Sequence, residues 1–391
     1  MKKLGLLTLG AMLLVGMLLA PACAVAAEWN MYGSARLEYF YNSYDKEVAA
    51  DNWGTGTAVG DGVSDDTDMT FGVQGNARIG ANVKATDQVS GRFEYGAGPN
   101  LRLLYGDYNF GSGTLRVGQD YTPMSGATSG QVVDVDDNLN SVGAVDGPRQ
   151  AQIKLLMGGF SVALVQNYGV NYGSSDIPAL GAYSTTDILI PKIEASYEFK
   201  TDMMSIMPFV GYQTYDIETA GVTQTSESIT SYVLGVHGRF SFGPAYVNVS
   251  GHWAQNAGNY GLFEKGAVSN TATTVTQSSP ALASQANLVG TSIEDATTYG
   301  CALVVGFTAS EMVSIEAGIG YTKSEVDIAT GTTLEDDTMA YYVNVPITLA
   351  KGVYIIPEIG FYDYGDLEIT GVADQTEGQR LYYGAKFQID F

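Results

Sequence analysis

The eleven residues that close the chain, Leu381-Tyr382-Tyr383-Gly384-Ala385-Lys386-Phe387-Gln388-Ile389-Asp390-Phe391, alternate between two kinds of side chain. Leu381, Tyr383, Ala385, Phe387, Ile389 and Phe391 fall on one side of an extended strand, and Tyr382, Gly384, Lys386, Gln388 and Asp390 on the other. Successive side chains of a strand point to opposite faces, so the segment reads as a strand with one apolar face that ends on an aromatic residue. A soluble sheet rarely leaves such an edge bare, because its unpaired backbone groups recruit other strands. The length and alternation suit a closed barrel in lipid. There, about 9 to 11 tilted residues span the hydrocarbon, and lipid-facing and lumen-facing side chains alternate.

The same period of two recurs upstream. Phe71, Val73, Gly75, Ala77, Ile79, Ala81 and Val83 oppose Gln74, Asn76, Arg78, Asn82 and Lys84. Val313, Ile315, Ala317, Ile319 and Tyr321 oppose Ser314, Glu316, Gly318, Gly320 and Thr322. Tight turns such as Gly111-Ser112-Gly113, Phe242-Gly243-Pro244 and Lys351-Gly352 take turns with longer polar segments at 45–67, 122–149, 169–189, 217–229, 255–297, 324–338 and 364–378. Short turns on one side and long loops on the other predict a transmembrane antiparallel β-barrel of about sixteen strands, with fourteen and eighteen as the alternatives. An even count puts both termini on the short-turn, periplasmic side. A soluble sandwich is disfavoured because nearly every strand offers an apolar face and no helical pattern is available to cover it.

Lys2 and Lys3 precede an apolar run from Leu4 to Ala20 and the small residues Ala22, Ala24, Ala26 and Ala27, which predicts a signal peptide over 1–27 and a mature barrel over 28–391. The mature part retains Cys301 alone, so no internal disulfide is expected. A net charge of −23 excludes a nucleic-acid binder. No HExxH, P-loop, GxSxG or CxxC motif is present, and no catalytic role is expected. The two histidines, His237 and His252, fall by alternation on the lumenal face, with Ser250 near them in sequence.

The signal segment, the sixteen-strand rhythm, the segment Gly113-Thr114-Leu115-Arg116-Val117-Gly118 and the terminal Phe391 resemble the general bacterial porins over essentially the whole mature chain. The resemblance implies a water-filled channel in the bacterial outer membrane for passive diffusion of small hydrophilic solutes and ions. It implies a homotrimer, contact with outer-membrane lipid and lipopolysaccharide, and recognition of Phe387, Ile389 and Phe391 by the barrel-assembly machinery. It makes 122–149 a third loop folded into the pore, where Asp134, Asp136 and Asp137 confront a basic wall across a constriction. Alternation puts Arg36, Arg78, Arg92 and Arg116 on the inner face, with Arg102 on a strand that alternates poorly. An equally good expectation is that these arginines pair with lumenal Glu38 and Glu94 and stiffen the barrel.

Lys154, Lys192, Arg239, Glu316 and Lys386 are further lumenal candidates, and Tyr32, Phe40, Tyr108, Tyr342, Tyr354 and Tyr382 offer a lining or an interfacial girdle. The acid excess predicts a weak cation preference. The polar segment 255–297 is expected to be an exposed external loop, because its composition cannot bury an apolar core. The connection Gly98-Pro99-Asn100 is too short for the second-loop latch of trimeric porins. No cofactor and no resident metal are expected. Loop acids Asp61, Asp65, Asp66, Asp68, Glu335, Asp336 and Asp337 could hold loosely bound divalent cations that bridge to lipopolysaccharide. Alternatives left open are a channel selective for sugar, phosphate or peptide, and an outer-membrane hydrolase or adhesin on the same barrel.

Overall fold

The computed structural model describes residues 27–45, 66–98, 100–140, 142–167, 183–219, 226–262, 268–269, 276–277, 282–289, 292–371, 374–376 and 378–391. The signal segment apart from Ala27, most of 45–67 and 169–189, Asp61, Asp65 and Pro99 lie outside them.

Each barrel strand pairs antiparallel with its neighbour in sequence. The first eight are β1 (Glu28–Asp45), β2 (Asp66–Val73, then Arg78–Lys84), β3 (Val89–Gly96), β4 (Asn100–Asn109), β5 (Thr114–Tyr121), β6 (Arg149–Met157), β7 (Phe160–Val165) and β8 (Tyr183–Asp187, Lys192–Tyr197, then Phe199–Lys200). The second eight are β9 (Met204–Thr219), β10 (Ser226–Phe242), β11 (Ala245–Gln255), β12 (Thr297–Thr308), β13 (Ser314–Ala329), β14 (Thr332–Asn344, then Ile347–Ala350), β15 (Val353–Asp363) and β16 (Gln379–Asp390).

The ring closes where β16 meets β1. Ser34 lies opposite Asp390, Leu37 opposite Phe387 and Asp45 opposite Gln379, and Gly33 and Phe391 exchange backbone hydrogen bonds at 2.7 and 3.0 Å. The fold is thus a closed barrel of sixteen antiparallel strands among the described residues, and no described helix is long and apolar enough to cross a membrane.

Exposure along β16 assigns its two faces. Leu381, Tyr383, Phe387 and Ile389 are 42–52% exposed, whereas Arg380, Tyr382 and Lys386 are at most 5% exposed. The apolar side chains form the outer surface and the polar ones are packed inside, which inverts the arrangement of a soluble core and suits lipid outside and water within. This pattern holds around the ring: Phe71, Ile79, Val117, Ile153, Leu234, Val305 and Ile319 are exposed, and Glu38, Glu94, Gln152, Lys192, His237, Asn248 and Glu358 are buried.

Two expected loops differ. Segment 324–338 is mostly strand, since β13 runs to Ala329 and β14 resumes at Thr332 with Ser324 opposite Asp336 and Val326 opposite Leu334. Lys323 forms an ion pair across the two strands with Glu335, so a polar stretch continues the ladder. Segment 255–297 is not simply exposed, because Asn256–Leu262 and Ala283–Asn287 are buried inside the barrel. Polar residues here pack against a polar lumenal wall, so composition does not predict exposure.

Candidate pore constriction

The connection between β5 and β6, residues 122–148, runs inside the ring. A loop has few partners of its own, so its buried N–H and C=O groups need partners on the wall. The wall supplies them. The Gly130 N–H donates to Glu316 at 2.6 Å, and the N–H groups of Val132 and Val133 donate to the two oxygens of Glu358 at 2.8 and 3.0 Å. The Asn248 and Asn344 amides donate to the carbonyls of Thr128 and Gly130, and the Gly143 N–H donates to Thr322 at 2.6 Å. Tyr246 and Tyr342 donate their hydroxyls to Glu316.

Apolar residues of the loop, Val132, Val133, Leu139, Val142 and Ala144, pack on Phe40, Val304, Tyr342, Tyr362 and Tyr382. Gly320 on β13 lets the loop approach this closely, since a Cβ there would lie 2.0 Å from the Val142 carbonyl oxygen.

At the tip, Asp134, Val135 and Asp136 take left-handed backbone angles, with φ of 50, 67 and 63°. Each such non-glycine residue costs roughly 1–2 kcal/mol, so the surroundings must hold the turn. Ion pairs and hydrogen bonds do this. Asp134 accepts from Arg380 at 2.5 and 2.9 Å. Asp136 accepts from Arg36 at 2.6 Å, Lys386 at 2.8 Å and Asn76 at 2.7 Å. Asp137 accepts from the Tyr362 hydroxyl at 2.7 Å. The three carboxylates therefore diverge to separate partners on β15, β16, β1 and the break in β2, and do not converge as ligands of one cation.

Of the expected basic residues, only Arg36 reaches the loop acids directly. Arg78, Arg92 and Arg102 gather on the single carboxylate of Glu94, at 3.5, 3.0 and 2.7 Å, and Tyr32 donates to the same group at 2.8 Å. A register shift in the β3–β4 pairing turns both Arg102 and Leu103 inward, which explains the poor alternation of that strand. Arg116 bridges Asp107 and Asp120 at 2.8 and 2.7 Å and lies 3.8 Å from the Tyr105 ring centroid, and Lys154 shares Asp120 at 2.6 Å. Glu38 accepts from Gln74 and not from an arginine.

Arg380 is the partner that sequence reading missed. It immediately precedes Leu381, and alternation alone places it on the inner face with Tyr382. Phe40, Tyr342 and Tyr382 are buried inside, whereas Tyr108 is on the outer face. His237 and His252 are lumenal. His237 places its ring nitrogens 3.1 Å from the Met124 carbonyl oxygen and 3.3 Å from the Thr128 hydroxyl, so it anchors the loop. Phe391, at 75% exposure, ends the outer face.

No protein-family profile matches the chain, and no curated protein sequence matches it. Solved structures do. The outer-membrane channel DcaP of Acinetobacter baumannii is similar at a TM-score of 0.63 and 15% identity, over 93% of this chain and 97% of that one. The trimer form of OmpT, an outer-membrane protein of Vibrio cholerae, is similar at 0.53 and 13% identity, over 93% of this chain and 100% of that one. OmpF of Salmonella typhi is similar at 0.50 and 10% identity, over 92% and 97%. At these identities the likeness shows the fold, which is that of outer-membrane porins. With the apolar outer belt, it makes the chain a transmembrane β-barrel of the porin fold.

Proposed function

We propose that the barrel is a water-filled channel for passive diffusion of small hydrophilic solutes, and that residues 122–148 form its constriction. The observation that carries the reading is the inward loop itself, tied by its backbone to Glu316 and Glu358 on one wall, so that the space left lies against β2–β7.

That arrangement changes the expected selectivity. The loop acids Asp134 and Asp136 are already matched by Arg36, Arg380 and Lys386, and Glu316 and Glu358 are buried behind the loop. On the facing wall Arg78, Arg92, Arg102, Arg116 and Lys154 meet only Glu94, Asp107 and Asp120. A narrow low-dielectric passage focuses such a surplus, so this geometry favours small anions at the constriction although the chain as a whole is acidic. The anion preference replaces the cation preference read from net charge.

Reversal potentials in planar bilayers under a salt gradient test it. Anion preference is expected for the native protein, and the double variant Arg78→Ala, Arg92→Ala should move the potential toward cations. A cation-selective native channel would sink the reading of the wall, and a folded protein without conductance would sink the channel itself.

Trimerisation belongs to the same proposal. The outer faces of β1 and β2 carry Trp29, Met31, Phe71 and Val73, all 60% exposed or more, and suit contact with a second copy. Phe387, Ile389 and Phe391, which face outward at the seam, suit recognition by the assembly machinery, whereas Glu335, paired with Lys323, and the buried Asp336 belong to the β13–β14 ladder and not to a loop open to divalent cations.

A further inference from the structure

The third loop does not stand alone in the lumen. Beyond β11, Asn256 and Gly261 take left-handed angles at either end of one helical turn, α1 (Ala257–Tyr260), whose four residues are all buried. The turn points Tyr260 into the barrel interior. The Tyr260 hydroxyl donates to Glu194 at 2.9 Å, its carbonyl accepts from Lys192 at 2.9 Å, and the Lys192 ammonium lies 4.1 Å from the centre of its ring. Lys192 and Glu194 are both fully buried on β8, so one tyrosine covers two opposite charges of the wall. Asn259 extends the cover by accepting from Gln213 at 2.7 Å and holding the Ala286 N–H at 2.7 Å.

The wall is shaped for this residue. Gly211 on β9 leaves a notch in which a Cβ would lie 2.1 Å from the Tyr260 hydroxyl oxygen. Tyr260, Ala257 and Leu262 also share a cluster with Met124 and Val145, which come from the two arms of the third loop, and with Phe209 and Val233 of the wall.

We infer that the connection between β11 and β12 is a second inward element that bounds the passage on the side of β8–β10, and that Tyr260 is the positioning residue that seats it and braces the third loop. This rests on the channel reading and adds that two loops, and not one, set the cross-section a solute meets. Its inward residues are 256–262 and 283–287.

Single-channel conductance and polymer exclusion, with native protein recorded alongside, test it. Tyr260→Ala removes the wedge and should raise conductance and admit larger polyethylene glycols. Gly211→Val fills the notch from the opposite side and should produce the same two changes without altering the loop. Tyr260→Phe keeps the ring and should stay close to native conductance. Heat-modifiable migration on gels checks that each variant is a folded barrel. A native channel that conducts, with Tyr260→Ala and Gly211→Val folded yet unchanged in conductance and exclusion, would overturn the inference. A native protein that does not conduct would instead overturn the channel reading on which it rests.

Discussion

Asp146 shows at one residue how an inward loop is tuned. It lies near the end of the third loop, where Ser125 donates to its carboxylate, and burial pushes its pKa above the ordinary Asp value despite that bond and the nearby Arg149. An acid held above its ordinary value binds its proton more tightly in the folded chain. The stability it contributes is present at low pH and lost as pH rises past about 3.9 and on through the raised value. Asp146→Asn removes the burden of burying the charge and keeps an acceptor for Ser125. The variant should therefore gain stability on the native protein as pH rises from 4 to 8, read as a widening difference in melting temperature. A difference that narrows with pH would show that the charged form is the favoured one.

The element that most rewards change is the left-handed tip of the third loop. Val135 is a β-branched residue at φ 67°, a conformation that such side chains rarely adopt, and it is 41% exposed, so little apolar burial is at stake. Asn tolerates this region, so Val135→Asn should stabilise the barrel by roughly 1 kcal/mol, read from denaturation midpoints, with conductance unchanged. A loss of stability would mean that the valine contact near Gly75 outweighs the strain.

The same element marks where sequence reading stops. Alternation gave the inner face of Arg36, Arg78, Arg92 and Arg116 because a strand has only two sides. Which acid each one meets was not legible, since loop residues have no period and Asp134 could have turned toward any wall. For segment 255–297 the rule that polar chains stay outside failed for a physical reason. A barrel lumen is itself polar, and Asn256, Asn259 and Gln285 find partners or neighbours there.

At the scale of the whole molecule, architecture was the most readable layer. Period two, the alternation of short and long connections and an even count follow from lipid on one side of the wall and water on the other, and these hold for every strand at once. What remained hidden was the filling of the lumen, because that depends on contacts such as Val132 to Glu358 that join residues 226 positions apart.

The seam between β1 and β16 carries a kinetic meaning. It joins the first strand of the chain to the last, so the ring cannot shut until the final residue is available, and the loop it closes is nearly the whole protein. Contacts of such sequence separation are formed slowly, because loop-closure entropy must be met before they reward the chain. They also bring the ends together: Gly33 and Phe391 are bonded neighbours on the short-turn side. A circular permutant that joins residue 28 to 391 through a flexible linker and opens between β1 and β2 should fold to the same barrel. The opening makes the β1–β2 pairing the one that joins first strand to last, so the long closure is moved and not removed, and detergent refolding to the heat-modifiable form should proceed at about the native rate. A markedly different rate would mean that the β1–β16 seam in particular, and not ring closure as such, sets the pace.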